Sequence, residues 1–420
     1  MGLLYLRFFY FNKKLEELKL KNIIYRIAER KEDFEGLKEV VFNVFDEEVR
    51  DMAHDLFYKS PKKDKNKYFY AFDKDKNKYV GILCLLDTPV KYGDVKIKAA
   101  EYGIAGTLEE YQGMGLNNNL TELFLEKSNE LGYDFLIIEG IPYFYRRYGF
   151  NYAVPMTGEK IDLEGLKLQN KDFLQIRKAT LDDLDFLVEE YKKTTKIYDL
   201  VKIKDREIIR AQISGYDSSV ISKDYFILEK NNKKIAYFTL NKGKTLEICD
   251  ISPYLTFSQY ENILSYFKNK KYKTLKTDLK KENKFIKYLR VKGSKKTASY
   301  SYQLKIRAQY SFLKSIKPVL EKRVKNSIYE NEEINLYYNN YQDIIQFKLN
   351  KGSIFINKLE KNEGENDFAL TPQGAVKLFS GDKSMDEITN FLADCYVKEK
   401  YSDLIDILFP KLKSHFYMNY

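Results

Sequence analysis

The feature that most constrains this chain is an unbroken succession of strand, glycine-bearing loop, helix and second strand across residues 102–150. It opens with the small-residue strand Tyr102-Gly103-Ile104-Ala105-Gly106-Thr107 and continues into the loop Gln112-Gly113-Met114-Gly115-Leu116-Asn117. Apolar residues at Leu116, Leu120, Leu123, Phe124 and Leu131 then keep the spacing of one helical face. Gly132 stands where a helix ends in the left-handed conformation. The apolar run Phe135-Leu136-Ile137-Ile138 reads as a buried strand. The first turn of a helix leaves backbone N–H groups unpaired at the positive end of its dipole. Glycines before it let an anion come close to the backbone. Two glycines ahead of a helix also make an ordinary tight turn, so the loop alone leaves both readings open.

The run Gln112-Gly113-Met114-Gly115-Leu116-Asn117 resembles the acetyl-CoA loop of GNAT N-acetyltransferases, whose pattern is Arg/Gln-x-x-Gly-x-Gly/Ala. Phe144-Tyr145-Arg146-Arg147-Tyr148-Gly149-Phe150 is similar to that family's closing motif, and with Thr107-Leu108-Glu109-Glu110-Tyr111 it resembles the enhanced intracellular survival (Eis)-like branch. The chain departs from the pattern at Asn117, where a small residue is usual, and at Glu109, where a proline is usual.

At 420 residues the chain has room for two to four domains, each with its own core. Its 44% hydrophobic and 15% aromatic content is that of a globular protein. No apolar run approaches the ~20 residues of a membrane span; residues 3–11, interrupted by Arg7, come nearest and lack a signal-peptide cleavage site. Cys84, Cys249 and Cys395 are widely separated, the pattern of buried thiols in a reducing cytoplasm. Two histidines, His54 and His415, are too few for a zinc site or most triads, so no metal is expected. The net charge of +11 falls almost wholly within residues 160–304, outside the part that carries the motif.

Along the chain, residues 22–28 read as a strand, and Asp33 as the cap of a helix through Phe34, Leu37, Val40, Val41 and Phe45. Two strands, 68–72 and 79–86, flank a polar hairpin connection and lead into the loop motif. From about Phe173 the opening repeats: Leu174-Gln175-Ile176-Arg177-Lys178-Ala179 followed by Asp182-Asp183-Leu184-Asp185-Phe186-Leu187 echoes Tyr25-Arg26-Ile27-Ala28 followed by Asp33-Phe34, without a second Gly-x-Gly loop. Residues 267–296 hold thirteen Lys/Arg with Tyr272, Phe285 and Tyr288 interleaved. That composition is open to nucleic-acid binding, but lysine predominates and gives point charge without bidentate recognition, so a solvated face is the preferred reading. Residues 333–338, 344–349 and 352–356 read as antiparallel strands, followed by a helical region from Pro372.

The expected fold is therefore α/β (α+β). By resemblance it comprises an N-terminal extension (1–21), a catalytic GNAT domain (22–158), a second GNAT-like domain without a cofactor loop (159–304), and a sterol carrier protein-like α+β domain (305–420). The resemblance also implies a cytoplasmic homo-oligomer, a hexamer, using acetyl-CoA as co-substrate. The pyrophosphate would sit on Gly113, Met114, Gly115, Leu116, Asn117 and Asn118, with Gln112 opening the same cofactor-binding loop. The pantetheine would lie along Ala105, Gly106 and Thr107, with Gly140 and Ile141 on the far side; swaps among these small residues are expected to be mild. Tyr145 matches the family's general acid. The base would be the terminal carboxylate of Tyr420, with His415 as the alternative. The acceptor is an amine, of a small molecule or lysine-like group. The contrasting reading is a non-catalytic CoA- or nucleic-acid-binding protein on the same scaffold.

Overall fold

The structure is a computed structural model and describes residues 22–168, 174–242, 245–297, 300–360 and 366–417. The expected N-terminal extension and Tyr420 lie outside them. The first unit contains β1 (Ile23–Ile27), α1 (Lys31–Val44), α2 (Glu47–Tyr58), β2 (Lys67–Asp73), β3 (Lys78–Asp87), β4 (Val90–Tyr92), β5 (Val95–Ile97), β6 (Ala99–Thr107), α3 (Leu116–Glu130), β7 (Phe135–Ile138) and β8 (Asn151–Met156). Asp33 is not the cap of α1. It stands inside the first turn and accepts the backbone N–H groups of Glu29 and Arg30 at 3.1 and 3.0 Å. It thereby holds the strand-to-helix corner from within.

The first sheet runs β1-β2-β3-β6-β7, then the strand Tyr300–Ile306, then β8. All neighbours are antiparallel except β6 and β7. A seventh strand from far along the chain thus lies between β7 and β8. In return the strand Glu159–Asp162, which directly follows β8, pairs with Thr274–Thr277 in the second sheet. The two units exchange strands, and neither sheet is complete without the other's segment.

The second unit repeats the first. Ala28 N donates to Tyr68 O at 2.7 Å and Ala179 N to Tyr225 O at 2.8 Å. Asp183 accepts the backbone N–H of Thr180 at 2.9 Å, three residues back, as Asp33 does from Arg30. The helices that start after the central strands differ. Helix Phe257–Asn269 begins with a capping box in which Thr256 and Gln259 satisfy each other's backbone donors. Its N-terminus is closed by its own side chains.

The last unit is a sheet of Glu333–Asn339, Ile344–Asn350 and Ser353–Leu359 extended by two short strands, with helices Gln309–Lys325, Pro372–Phe379 and Ser402–Leu408. Its core is continuous with the first sheet: Phe135, Ile137, Tyr302 and Leu304 belong to the same buried cluster as Phe312, Phe347 and Phe379. A fourth, small sheet joins all three units. In it Leu200–Lys202 lies between β4 and the two-residue strand Ser414–His415. Among the described residues, no helix is long and apolar enough to cross a membrane.

Candidate active site

The loop ahead of α3 is held from behind. Tyr111 donates to Asp73 Oδ2 at 2.7 Å, which fixes the turn that delivers Gln112. Gly113 and Gly115 have φ of +76° and +79°, the left-handed region that disfavours a Cβ. A Cβ built at either position would meet nothing within 4 Å, so space stands open over the start of α3. Gly115 is the residue at which the helix begins, and it supplies no side-chain cap. Here the two copies part: the second unit's helix is capped and the first unit's is open. The departure at Asn117 has a structural reason, since its side-chain oxygen accepts from Tyr102 OH at 3.2 Å. Asn118 takes the Tyr148 hydroxyl.

β6 carries a bulge beside this loop. Ile82 pairs with Gly106 and Cys84 with Gly103, so Leu83 alone faces Ile104 and Ala105. Ile104 has φ +40°, costly for a β-branched residue and a mark of a site at which the backbone is turned deliberately. β6 pairs with β7 only from Ala99 to Glu101; beyond that point the two parallel strands diverge. The result is a gap between strand edges, with the bulge on one side and Gly140 and Ile141, just past β7, on the other.

Tyr145 lies on a one-turn helix, Phe144–Tyr148, that follows this gap. Its ring is buried, edge-on to Tyr102 at 5.3 Å and Phe144 at 4.9 Å. Burial, with the neighbouring Tyr148, pushes its hydroxyl up to about 12, so the phenol keeps its proton at neutral pH. The expectation of mild effects at small residues fails at two positions. A Cβ on Gly140 would stand 2.2 Å from the Tyr145 ring, and one on Gly106 would stand 2.7 Å from Phe45.

A cleft of about 670 Å³ opens between the first sheet, the second unit and the end of the described chain. Glu48, Glu139, Glu247 and Asp278 contribute carboxylates to it, Lys223, Lys276 and Lys280 contribute ammonium groups, and Phe416 and Tyr417 form part of its wall. Burial raises Asp278 to about 7, and its Oδ1 is buried without a hydrogen-bond partner among the described residues. Glu139 is open to the cleft yet crowded by protein; that crowding and the charge of Glu101 raise its carboxyl. Glu139 immediately precedes Gly140, so this carboxylate and the Tyr145 ring flank one glycine. None of these acids was identified from sequence. The signal for Glu139 was its place directly after the buried run 135–138, whereas Asp278 was hidden in the lysine-rich stretch.

His415 does not serve as the alternative base. Its ring is buried between Tyr198 at 4.9 Å and Tyr417 at 4.7 Å. Burial and the nearby lysines hold its pKa well below the ordinary histidine value. The lysine-rich stretch also loses its aromatic interleaving: Phe285 and Tyr288 are core residues, and only Tyr272 of the three is exposed.

A helix start left open by its glycines, a bulged central strand, a parting of parallel strands and a protonated tyrosine at the gap together define an acyl-transfer fold of the GNAT class. The comparisons agree. The model of the acetyltransferase (GNAT) domain family matches residues 25–153. The match places a GNAT acetyltransferase domain at residues 25–153 of this chain. No curated protein matches the chain. Among solved structures, a GCN5-related N-acetyltransferase from Anabaena variabilis is similar with a TM-score of 0.72 and 13% identity, over 94% of this chain and 99% of that one. A conserved protein of unknown function from Enterococcus faecalis, described as a probable N-acyltransferase, gives 0.73 and 11%, over 95% and 100%. Eis1 from Mycobacterium abscessus gives 0.62 and 9%, over 94% and 100%. At these identities the likeness is one of fold, and it extends over all three units.

Proposed function

We propose that this protein is an acetyl-CoA-dependent N-acetyltransferase acting on a primary amine of a cationic small molecule or lysine-like acceptor. The observation that carries the reading is the uncapped glycine loop beside the parted strands, with Tyr145 at the gap and a cleft bearing carboxylates that begins at Glu139, next to Gly140. The residues suit the co-substrate. The open space over Gly113 and Gly115 leaves room for a pyrophosphate on the N–H groups from Gln112 to Asn118, through Met114, Leu116 and Asn117. The bulged strand at Ala105, Gly106 and Thr107 presents backbone donors to a pantetheine lying in the gap, with Gly140 and Ile141 opposite.

Acetyl-CoA supplies the activated acetyl thioester. The cleft carboxylates hold the acceptor's cation, and a carboxylate takes the proton that the ammonium must lose before it attacks. That base is the terminal carboxylate of Tyr420, three residues beyond Tyr417 in the cleft wall. As the new carbon–nitrogen bond forms and the carbon–sulfur bond breaks, Tyr145 gives its phenolic proton to the departing sulfur, and the phenolate so formed is reprotonated by the second proton that the acylated nitrogen sheds. The backbone donors at the bulge face the thioester oxygen, where negative charge grows. The same reading makes residues 305–420 a sterol carrier protein-like unit, and the protein a cytoplasmic homo-oligomer, a hexamer, with no nucleic-acid partner.

The test is acetyl-CoA-dependent thiol release over a panel of amines, with Tyr145→Phe and a chain lacking Tyr420 beside the full chain. Turnover that falls sharply in both variants supports both roles. Loss in Tyr145→Phe alone keeps the enzyme and moves the base to another carboxylate. No turnover and no calorimetric signal with CoA overturns the reading.

A further inference from the structure

The segment Ser414–His415 and the two aromatics after it reach the cleft wall across a charge that the reaction scheme above does not use. Lys202 is fully buried, on the strand Leu200–Lys202 that pairs with Ser414–His415. Its ammonium lies 2.6 Å from Glu101 Oε2, a nearly buried carboxylate on β6 just where β6 and β7 part. The same ammonium faces two rings of the cleft wall, Tyr302 at 4.5 Å and Phe416 at 5.8 Å. Those rings meet edge to face at 5.6 Å. Behind them, Tyr417 OH donates to Tyr191 OH at 2.6 Å, and Tyr191 OH donates to the Lys202 carbonyl at 3.2 Å. One residue thus touches the first unit through a carboxylate, the inserted strand through a ring, and the chain end through a ring and its own backbone.

A buried ion pair is a poor way to gain stability, because desolvating two charges offsets most of their attraction. A desolvated cation over an aromatic face, however, fixes that face in place. We infer that Lys202 is a positioning residue for the transfer reaction: it docks Phe416 and Tyr417 against the cleft, so that the chain following them is delivered to the acceptor. This rests on the reading of the chain end as the source of the base. Glu101 balances the cation and ties the dock to the strand along which the thioester would lie.

The experiment uses the full chain and compares Lys202→Met, Lys202→Arg and the double variant Glu101→Gln/Lys202→Met. The double variant removes both charges, so it folds without a stranded buried carboxylate. Three quantities are read: amide hydrogen exchange of residues 414–417, the Kd for acetyl-CoA, and kcat for amine acetylation. The expected result is faster exchange at 414–417 in Lys202→Met and in the double variant. The Kd for acetyl-CoA should stay unchanged, and kcat should fall on the order of 100-fold, the cost of misplacing a reacting group by about an ångström. Lys202→Arg, which keeps the cation over the rings, should restore most of both signals. Wild-type exchange in the double variant would overturn the docking role whatever the activity. Faster exchange with wild-type kcat would overturn the catalytic use of the docked segment. A wild-type protein with no transferase activity would instead sink the proposed function, and the exchange arm would still decide whether Lys202 docks the chain end.

Discussion

The ring of Tyr145 rests on the bare Cα of Gly140: a methyl group there would stand 2.2 Å from the ring's Cε2. The carbonyl of Gly140 in turn accepts the hydroxyl of Tyr300, on the strand inserted from beyond the second unit. The tyrosine that matches the family's acid is thus oriented by a glycine that sequence reasoning counted as an interchangeable small residue. Gly140→Ala is expected to cost about 1–3 kcal/mol, as overpacked sites do, and to lower kcat together with Tm. Tyr145→Phe keeps the ring in place, so Tm should hold while kcat falls roughly 10²–10⁴-fold, the usual contribution of a general acid. Thermal unfolding and steady-state kinetics on the two variants separate packing from proton transfer.

Gly115 provides the complementary case. Its φ of +79° with open space around it means that Gly115→Ala meets no clash and bears only the left-handed cost of about 1–2 kcal/mol. The added methyl group occupies the space assigned to the pyrophosphate. Calorimetry should therefore show the Kd for acetyl-CoA rising by at least about tenfold, or ~1.4 kcal/mol. An unchanged Kd would remove this loop as the phosphate site.

The cleft should respond to pH through Asp278. Its carboxyl is raised to about 7 by burial and by Glu247, against the lowering influence of Lys280 and Lys223. A raised carboxyl favours folding while protonated, so that contribution is present below the ordinary aspartate range and is lost as pH rises through about 7. Above that value the ionised group is available to a cationic acceptor. The KM for such an acceptor should fall between pH 6 and 8, and Asp278→Asn should flatten the profile while gaining stability relative to wild type at pH 8.

The strand exchange predicts how the chain can be divided. Residues 22–158 alone lack Tyr300–Ile306, the strand between β7 and β8, and leave two sheet edges unpaired in the interior. Circular dichroism on heating should show no cooperative transition for that piece, whereas residues 22–417, which keep the inserted strand and the last unit packed on the first sheet, should unfold cooperatively.

The order of strands and helices around the site was legible because it is carried by local pattern. The run Phe135–Ile138 is a strand with the expected ends, and the helix after Gly115 runs to Glu130, with left-handed Gly132 two residues later. The repeat of the strand ending at Ala28 and the acid at Asp33 in Ala179 and Asp183 was visible as a sequence pattern, one residue shorter in the second copy, and the two copies make matching hydrogen bonds. Local pattern misled where one residue served two purposes. Asp33 resembled a cap but acts from the first turn, and Phe285 and Tyr288, interleaved with lysines in a stretch read as a solvated face, fill a core.

The sequence by itself determined the glycine loop before a helix, the run from Phe144 to Phe150 that carries the resemblance at Tyr145, and the repeated opening of the two units, because each is written in a short contiguous stretch. Only the tertiary structure decided which strand completes each sheet, which carboxylates share a cleft, and that Lys202 meets Glu101, Tyr302 and Phe416. Those partners lie 101, 100 and 214 positions away from it in the chain. Their meeting is set by how sheets and units pack, and no local period or spacing records it.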